Sequence, residues 1–259
     1  MSFRFTFSRT VSMVALGGLC APAFVPVSAS AATSTAKKVP VVAGNPAPLC
    51  SSGVVTTVAA MTNTKYAAAI NVYTEPATTS QLRYSLGVGL EIKGAVVFTV
   101  VKTEGDWLMV NVPARPNGTT GWIKKSEVKT YTHRYEVKID TATRRMAVCN
   151  AGKSIQTETI AVGASKWPTP RGTFYTVDLV RPKGGPNGPY GAFAFGLSGF
   201  SESPELENWN GGDGRIAIHG TNQPKLLGQA VSHGCIRVSN VAITKMRKTL
   251  PLGVPVSII

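Results

Sequence analysis

RYEVKIDTATRRMAVCNAGKSIQTETIAVG, residues 134–163, is the stretch from which the fold class is read. RYEVKID, RRMAVC and KSIQTETIAVG each alternate apolar and polar residues, the period of a strand with one face on a core. DTAT and NAGK interrupt them as turns, so the stretch predicts strands joined by hairpins. The texture continues downstream. TFYTVDLV follows the turn-rich WPTPRG, and the Gly/Pro loop RPKGGPNGPYG leads into AFAFGLSG. RIAIHG runs as a short strand into a glycine, and GVPVSII closes as a final strand. The one good helical pattern is NVAITKMRKTL. Asn240 reads as its N-cap, Val241, Ile243, Met246 and Leu250 as one apolar face, and Pro251 as its stop.

Upstream, residues 65–130 hold AINVYTEP, LEIKGAVVFTVVK, WLMVNVP and GWIKKSEV, short runs rich in Val, Ile and aromatics. PARPNGTTGW is a turn cluster between two of them, and Trp107 and Trp122 each open a strand. This spacing predicts a small antiparallel barrel. GDWLMV…NGTTGWI resembles bacterial SH3-like wall-associated domains, which implies either a spacer or a ligand-binding module. Residues 32–64, rich in Ala, Thr, Ser, Val and Pro with little periodicity, read as a linker.

Composition agrees with a mostly β chain. Of 259 residues, 43% are hydrophobic, enough for a real core, while 26 Gly and 17 Pro supply many turns. The first residues predict an export signal over 1–31: Arg4 and Arg9 without an acid, an apolar run from Val11 to about Phe24, and Ala29-Ser30-Ala31 as a small-x-small cleavage site. Lys and Arg number 27 against 13 Asp and Glu, a net charge of +14. A basic exported chain suits polyanionic surroundings such as a bacterial wall or anionic headgroups. No helix-turn-helix, zinc-finger or aromatic RNA-binding signature supports a nucleic-acid partner.

Without the signal, the cysteines are Cys50, Cys149 and Cys235. An odd thiol in an exported protein invites explanation. A Cys50–Cys149 bridge would tie the linker to the later domain and leave Cys235 free. Cys235 lies in AVSHGCIRVSN, residues 230–240, two residues after His233 and downstream of His219 in IAIHG. Its third neighbour in type, His133, stands alone between the domains and reads as a surface or boundary residue. Three readings of the Cys/His set are open: a zinc site, a buried structural thiol, and a thiolate–imidazole pair. The segment lacks a fourth ligand pattern, and it is too polar for a core run. The third reading accounts for more: a neighbouring imidazole lowers a thiol's pKa and shuttles its proton. Amides near Gly234 and Cys235 would then form an oxyanion hole.

AVGASKWPTPRGTF, IAIHGTN and SHGCIRVSN, in that order, resemble the L,D-transpeptidases of bacterial cell walls over roughly residues 133–259. The resemblance implies a β-sandwich catalytic domain with its site at one end. It implies Cys235 as nucleophile and His219 as proton acceptor and donor, oriented through the Gly220 carbonyl. It places His233 at the site for orientation or substrate contact, with Ser232 and Arg237 on the substrate side. Many members have Asn where this chain has Arg237, which leaves carboxylate recognition and a structural ion pair as equal alternatives. WPTPRG is read as shaping a turn beside the pocket. The implied reaction is acyl transfer from a peptidoglycan stem tetrapeptide to a neighbouring stem amine, needing no metal or organic cofactor and inhibited by carbapenems. Such an enzyme would work in the cell wall, on the outer side of the cytoplasmic membrane and peripheral to it at most. The alternatives are the same chemistry with water as acceptor, or a non-catalytic wall-binding protein.

Overall fold

In the computed structural model of the chain, the described residues are 48–50, 53–63, 69–87, 95–207 and 212–259. The signal segment 1–31 and most of the linker 32–64 lie outside them. The architecture is mostly β: two large curled sheets and, among the described residues, one α-helix.

The first sheet contains β1 (Thr57–Thr62), β2 (Ile70–Tyr73), β3 (Leu82–Leu86), β4 (Val97–Glu104), β5 (Trp107–Asn111), β6 (Thr120–Lys124) and β7 (Val128–His133), in the order β3-β2-β6-β5-β4-β1-β7. Every pairing is antiparallel. The alternation read from sequence is what the sheet buries. Ile70 and Val72 from β2, Leu108 and Val110 from β5, and Phe98 and Ile123 close one small core. Each such side chain contributes about 1.5–3 kcal/mol by leaving water. β1 lies inside the segment read as linker. Its small residues Ala59 and Ala60 are fully buried between β4 and β7. Ala and Thr carry a weak hydrophobic signal, so only the pairing partners reveal this strand.

The second sheet contains β8 (Tyr135–Asp140), β9 (Arg145–Asn150), β10 (Lys153–Thr159), β12 (Gly172–Val180), β13 (Ala194–Phe200), β14 (Arg215–His219), β16 (Ile236–Arg237) and β17 (Pro255–Ile258). Their order is β10-β9-β8-β17-β12-β13-β14-β16. Two pairings are parallel: the C-terminal β17 with β8, and β16 with β14. KSIQTETIAVG, read as one strand, is two. β10 is followed by β11 (Val162–Gly163), which pairs in parallel with β15 (Ala230–Ser232) instead of continuing the hairpin.

Helix α1 (Asn240–Thr249) covers the core with Ala242, Ile243 and Met246. Two details differ from the sequence reading. Ser239 is the N-cap, accepting the Ala242 N–H at 3.0 Å, and Asn240 is the first helical residue. Val241 is 82% exposed. At about 100° per residue it lies some 200° around the helix from Ile243, away from the core.

The sheets meet at a polar seam. The Tyr131 hydroxyl donates to the Leu252 carbonyl at 2.9 Å, and Tyr175 to Asn111 at 2.8 Å. His133 is buried there. Its Nε2–H donates to the Gly253 carbonyl at 3.1 Å while Nδ1 accepts the Tyr135 N–H, and burial pushes its pKa below the ordinary imidazole value. It is a boundary residue and no surface one. Cys50 and Cys149 form the disulfide considered from parity, and Cys235 is a free thiol.

Candidate active site

The site is set by the parallel pairing of β14 with β16, in the register Ile218↔Ile236 and His219↔Arg237. Ile218 and Ile236 are fully buried in the core. Successive side chains on a strand alternate faces, so Ala217, His219 and Arg237 share the opposite face, and Cys235 enters on it. Two short strands separated by a loop thus present a thiol, an imidazole and a guanidinium on one side of one sheet.

His219 is 3% exposed. Its Nδ1–H donates to the Gly220 carbonyl at 2.6 Å, which fixes the tautomer and leaves Nε2 to accept a proton. Burial lowers its pKa to about 4, and the Arg237 charge also lowers it, against the raising effect of the Gly220 and Tyr190 carbonyls. The Tyr190 ring lies 5.0 Å from the imidazole. Burial pushes the Cys235 thiol up, while the Ala217 N–H directed at the sulfur and the Arg237 charge pull it down. Burial thus favours the neutral form of both groups, the thiol of Cys235 and the imidazole of His219.

The turn between β15 and β16 is tightly built. Ser232 is 1% exposed. Its hydroxyl donates to the Cys235 carbonyl at 2.6 Å and accepts the Gly234 N–H at 3.2 Å. Gly234 has φ +107°, a conformation that strains residues with a side chain. Two expectations change. Ser232 staples the turn and has no free surface for substrate, and the Gly234 N–H is already engaged. His233 is exposed and lies against Trp167, their ring centroids 4.1 Å apart. Trp167 Nε1–H in turn donates to Glu205 at 2.9 Å.

Arg237 is half-buried. Its Nη1 reaches Gln223 Oε1 at 3.4 Å, and its buried Nε has no hydrogen-bond partner. Among the described residues no carboxylate lies within 4.0 Å of it, so the structural ion pair weighed for it is not formed.

Sequence reasoning missed the residue that braces this region. Asn240 Oδ1 accepts the Ala192 N–H at 2.9 Å, and its Nδ2 donates to the Pro186 and Thr221 carbonyls, both at 3.1 Å. A Cβ on Gly220 would meet that Oδ1, so glycine is required beside His219. Asn240 was read from the sequence as the N-cap, a task that Ser239 performs, and its reach into two loops was not read. Among the described residues, no group of three or more His, Cys, Asp and Glu side chains could hold a metal ion.

Comparison with known proteins places these features. Residues 134–258 match the L,D-transpeptidase catalytic domain, and residues 67–129 match the bacterial SH3 domain. A Bacillus subtilis protein provisionally named L,D-transpeptidase YkuD is 31% identical over 128 residues, covering 49% of this chain and 68% of its own length. Among solved structures, Bd1075 of Bdellovibrio bacteriovorus aligns at 23% identity and TM-score 0.38. That alignment covers 49% of this chain, and this chain spans only about half of that protein, 48%. L,D-transpeptidase 3 of Mycobacterium tuberculosis, solved with a faropenem-derived adduct, aligns at 14% identity and TM-score 0.41, covering 63% and 90% of the two chains. With the curated relative matched over two thirds of its length, and the thiol and imidazole on one sheet face, the chain belongs to the YkuD-type L,D-transpeptidase family.

Proposed function

We propose that the protein is a peptidoglycan L,D-transpeptidase that works through a covalent cysteine thioester, on the outer side of the cytoplasmic membrane. The observation that carries this reading is the free Cys235 thiol on the same sheet face as His219, whose Nδ1–H is held by Gly220.

In this reading the steps are as follows. His219 Nε2 takes the Sγ proton as sulfur attacks the carbonyl after the third residue of a stem tetrapeptide. With the Gly234 N–H engaged by Ser232, we assign the Cys235 N–H as the oxyanion donor. The tetrahedral intermediate expels D-alanine, whose nitrogen receives the proton from His219. A neighbouring stem amine then attacks the thioester carbonyl and gives its proton to His219, and the sulfur leaves and is reprotonated. Arg237, with a buried unpartnered Nε, is assigned to a substrate carboxylate. Exposed His233 and half-buried Trp167 form the rim against which substrate would lie. Carbapenem-type β-lactams would acylate the same sulfur.

The test is incubation with purified tetrapeptide muropeptides followed by mass spectrometry. A cross-linked dimer with loss of D-alanine is the result expected, abolished in Cys235→Ala with the fold retained. Full activity in Cys235→Ala would overturn the cysteine mechanism. Tripeptide without dimer would make water the acceptor.

A further inference from the structure

Phe193, the residue before β13, lies under two arginines from distant parts of the chain. The guanidinium carbon of Arg181 stands 5.5 Å from the centre of its ring, and that of Arg247 stands 4.8 Å away. Arg181 directly follows β12, and Arg247 belongs to the last turn of α1. Together with Leu179 and Val180 these residues line a cavity of about 300 Å³. Phe193 packs against the same core as Phe195 and Leu197, and its carbonyl accepts the Gly220 N–H at 3.1 Å, so the floor is held in place. Neither Cys235 nor His219 lines this cavity.

The two cations have no counter-charge. Among the described residues neither Arg181 nor Arg247 has a carboxylate within 4.0 Å. The sequence gives the reason. No Asp or Glu occurs from Leu179 to Ser201 or from Gly214 to Ile259, so neither the loop after β12 nor α1 supplies one. Lys183 and Lys248, close by in sequence, are exposed and add further positive charge. A cation in the last turn of a helix offsets the macrodipole. That accounts for Arg247 and Lys248, but not for a second arginine brought to the same ring from the end of β12. An aromatic ring holds a guanidinium without consuming its N–H donors.

We propose that Arg181 and Arg247 form a binding site, apart from the catalytic centre, for the phosphate of a phosphodiester. One guanidinium fork satisfies a planar carboxylate. A phosphate spreads its oxygens tetrahedrally and accepts donors from two arginines at once. A phosphodiester also carries carbon on both sides of the phosphate, which the apolar wall of Leu179, Val180 and Phe193 accommodates. The site tethers the protein to phosphodiester-bearing material while the Cys235 thiol stays free. It does not depend on the transpeptidase reading.

Calorimetry on the full chain tests it, with poly(glycerol phosphate) and polyglutamate of equal charge as probes. Wild type should bind the phosphodiester polymer at least about tenfold tighter, and Arg181→Gln/Arg247→Gln should lose about tenfold or more of that affinity. Lys129→Gln/Lys153→Gln removes the same charge from exposed positions elsewhere and should lose less than about threefold. Equal affinity for the two polymers, or equal losses in the two double variants, overturns the site and leaves only general attraction to a basic chain. Vesicles of phosphatidylcholine with and without phosphatidylglycerol distinguish the source. Loss of phosphatidylglycerol binding alone in the arginine variant sustains the site with a lipid headgroup as ligand, and loss of polymer binding alone sustains it with a soluble polymer. Loss of neither overturns it. Should the arginine variant fail to fold, dimethyl phosphate is titrated into labelled wild type. Shifts of the Arg181 and Arg247 Nε–H resonances that acetate does not reproduce sustain the site, and identical responses to the two anions overturn it.

Discussion

The Asn117 side chain and the Phe200 backbone form a reciprocal pair. Asn117 Nδ2 donates to the Phe200 carbonyl at 2.9 Å, and its Oδ1 accepts the Phe200 N–H at 2.9 Å. A side-chain amide of the SH3 domain thus stands in for a strand partner at the end of β13. Beside it, Arg115 donates to the Ser201 and Asp213 carbonyls, both at 2.9 Å, and covers the Phe200 ring. Replacing Asn117 with Ala leaves two part-buried backbone groups unpaired, a cost of about 1–3 kcal/mol. Thermal unfolding should show a lower Tm for Asn117→Ala. A change within about 0.5 kcal/mol would mean water replaces the amide freely.

The burial of His219 gives stability a pH dependence of definite sign. Its folded pKa is about 4 against an ordinary 6.5. Between those values the unfolded chain takes up a proton that the folded chain refuses. Stability contributed here is therefore present above pH 6.5, is lost as pH falls toward 4, and does not change further below. Denaturation midpoints at pH 7 and pH 4.5 should drop further in wild type than in His219→Asn, which lacks the titrating ring. Equal drops would contradict a buried neutral imidazole.

Burial also acts on the Cys235 thiol. Because the thiol pKa is raised from its ordinary 9.0, alkylation of Cys235 by iodoacetamide should be slow at pH 7 and still rising beyond pH 9. A plateau below pH 7 would instead reveal a resting thiolate–imidazolium pair.

How much of this was legible in the sequence depended on whether a signal was local. The alternation of RYEVKID and RRMAVC is local, and β8 and β9 fall where it predicts. SHGC and the IAIHG histidine were found because both lie in recognisable words, although their meeting depends on the parallel β14–β16 pairing. The misses share a cause. β1 is made of small residues whose burial depends on strands β4 and β7. Ser232 looked available to substrate because hydroxyls usually are, and only the folded turn spends it on the Cys235 carbonyl. Asn240 was read as a cap from its position ahead of an apolar run, whereas Ser239 performs that task and frees the amide to reach Pro186, Ala192 and Thr221.

The disulfide joins residues 99 apart in sequence, across the whole first sheet. In the chain-entropy account a closed loop of that size constrains the unfolded state by about 4–5 kcal/mol. Cys50→Ser should therefore lower the unfolding free energy by about 2–5 kcal/mol in denaturant melts. Reduction should do the same in wild type and nothing further in the variant. Because Cys149 lies at the far side of the second sheet from β16, the alkylation profile of Cys235 should be the same in both proteins. A changed profile would show that the bridge shapes the site.

Asn240 Oδ1 lies against Gly220, whose carbonyl holds the His219 Nδ1–H. The amide reaches three backbone groups, one by its oxygen and two by its nitrogen. Asn240→Asp keeps the acceptor, loses both donors and sets a negative charge against the Pro186 and Thr221 carbonyls. Asn240→Ala loses all three contacts without adding charge. Each should cost about 1–3 kcal/mol of stability. If the brace acts only on folding, kcat in the folded fraction would be unchanged. If it orients His219 through Gly220, kcat should fall about tenfold or more with little change in KM. Gly220→Ala should copy this kinetic pattern, because a Cβ there meets the Asn240 oxygen and must displace it. Steady-state kinetics on the three variants, corrected for folded protein by near-UV circular dichroism, would decide. An Asn240→Ala enzyme with wild-type kcat would confine Asn240 to the scaffold.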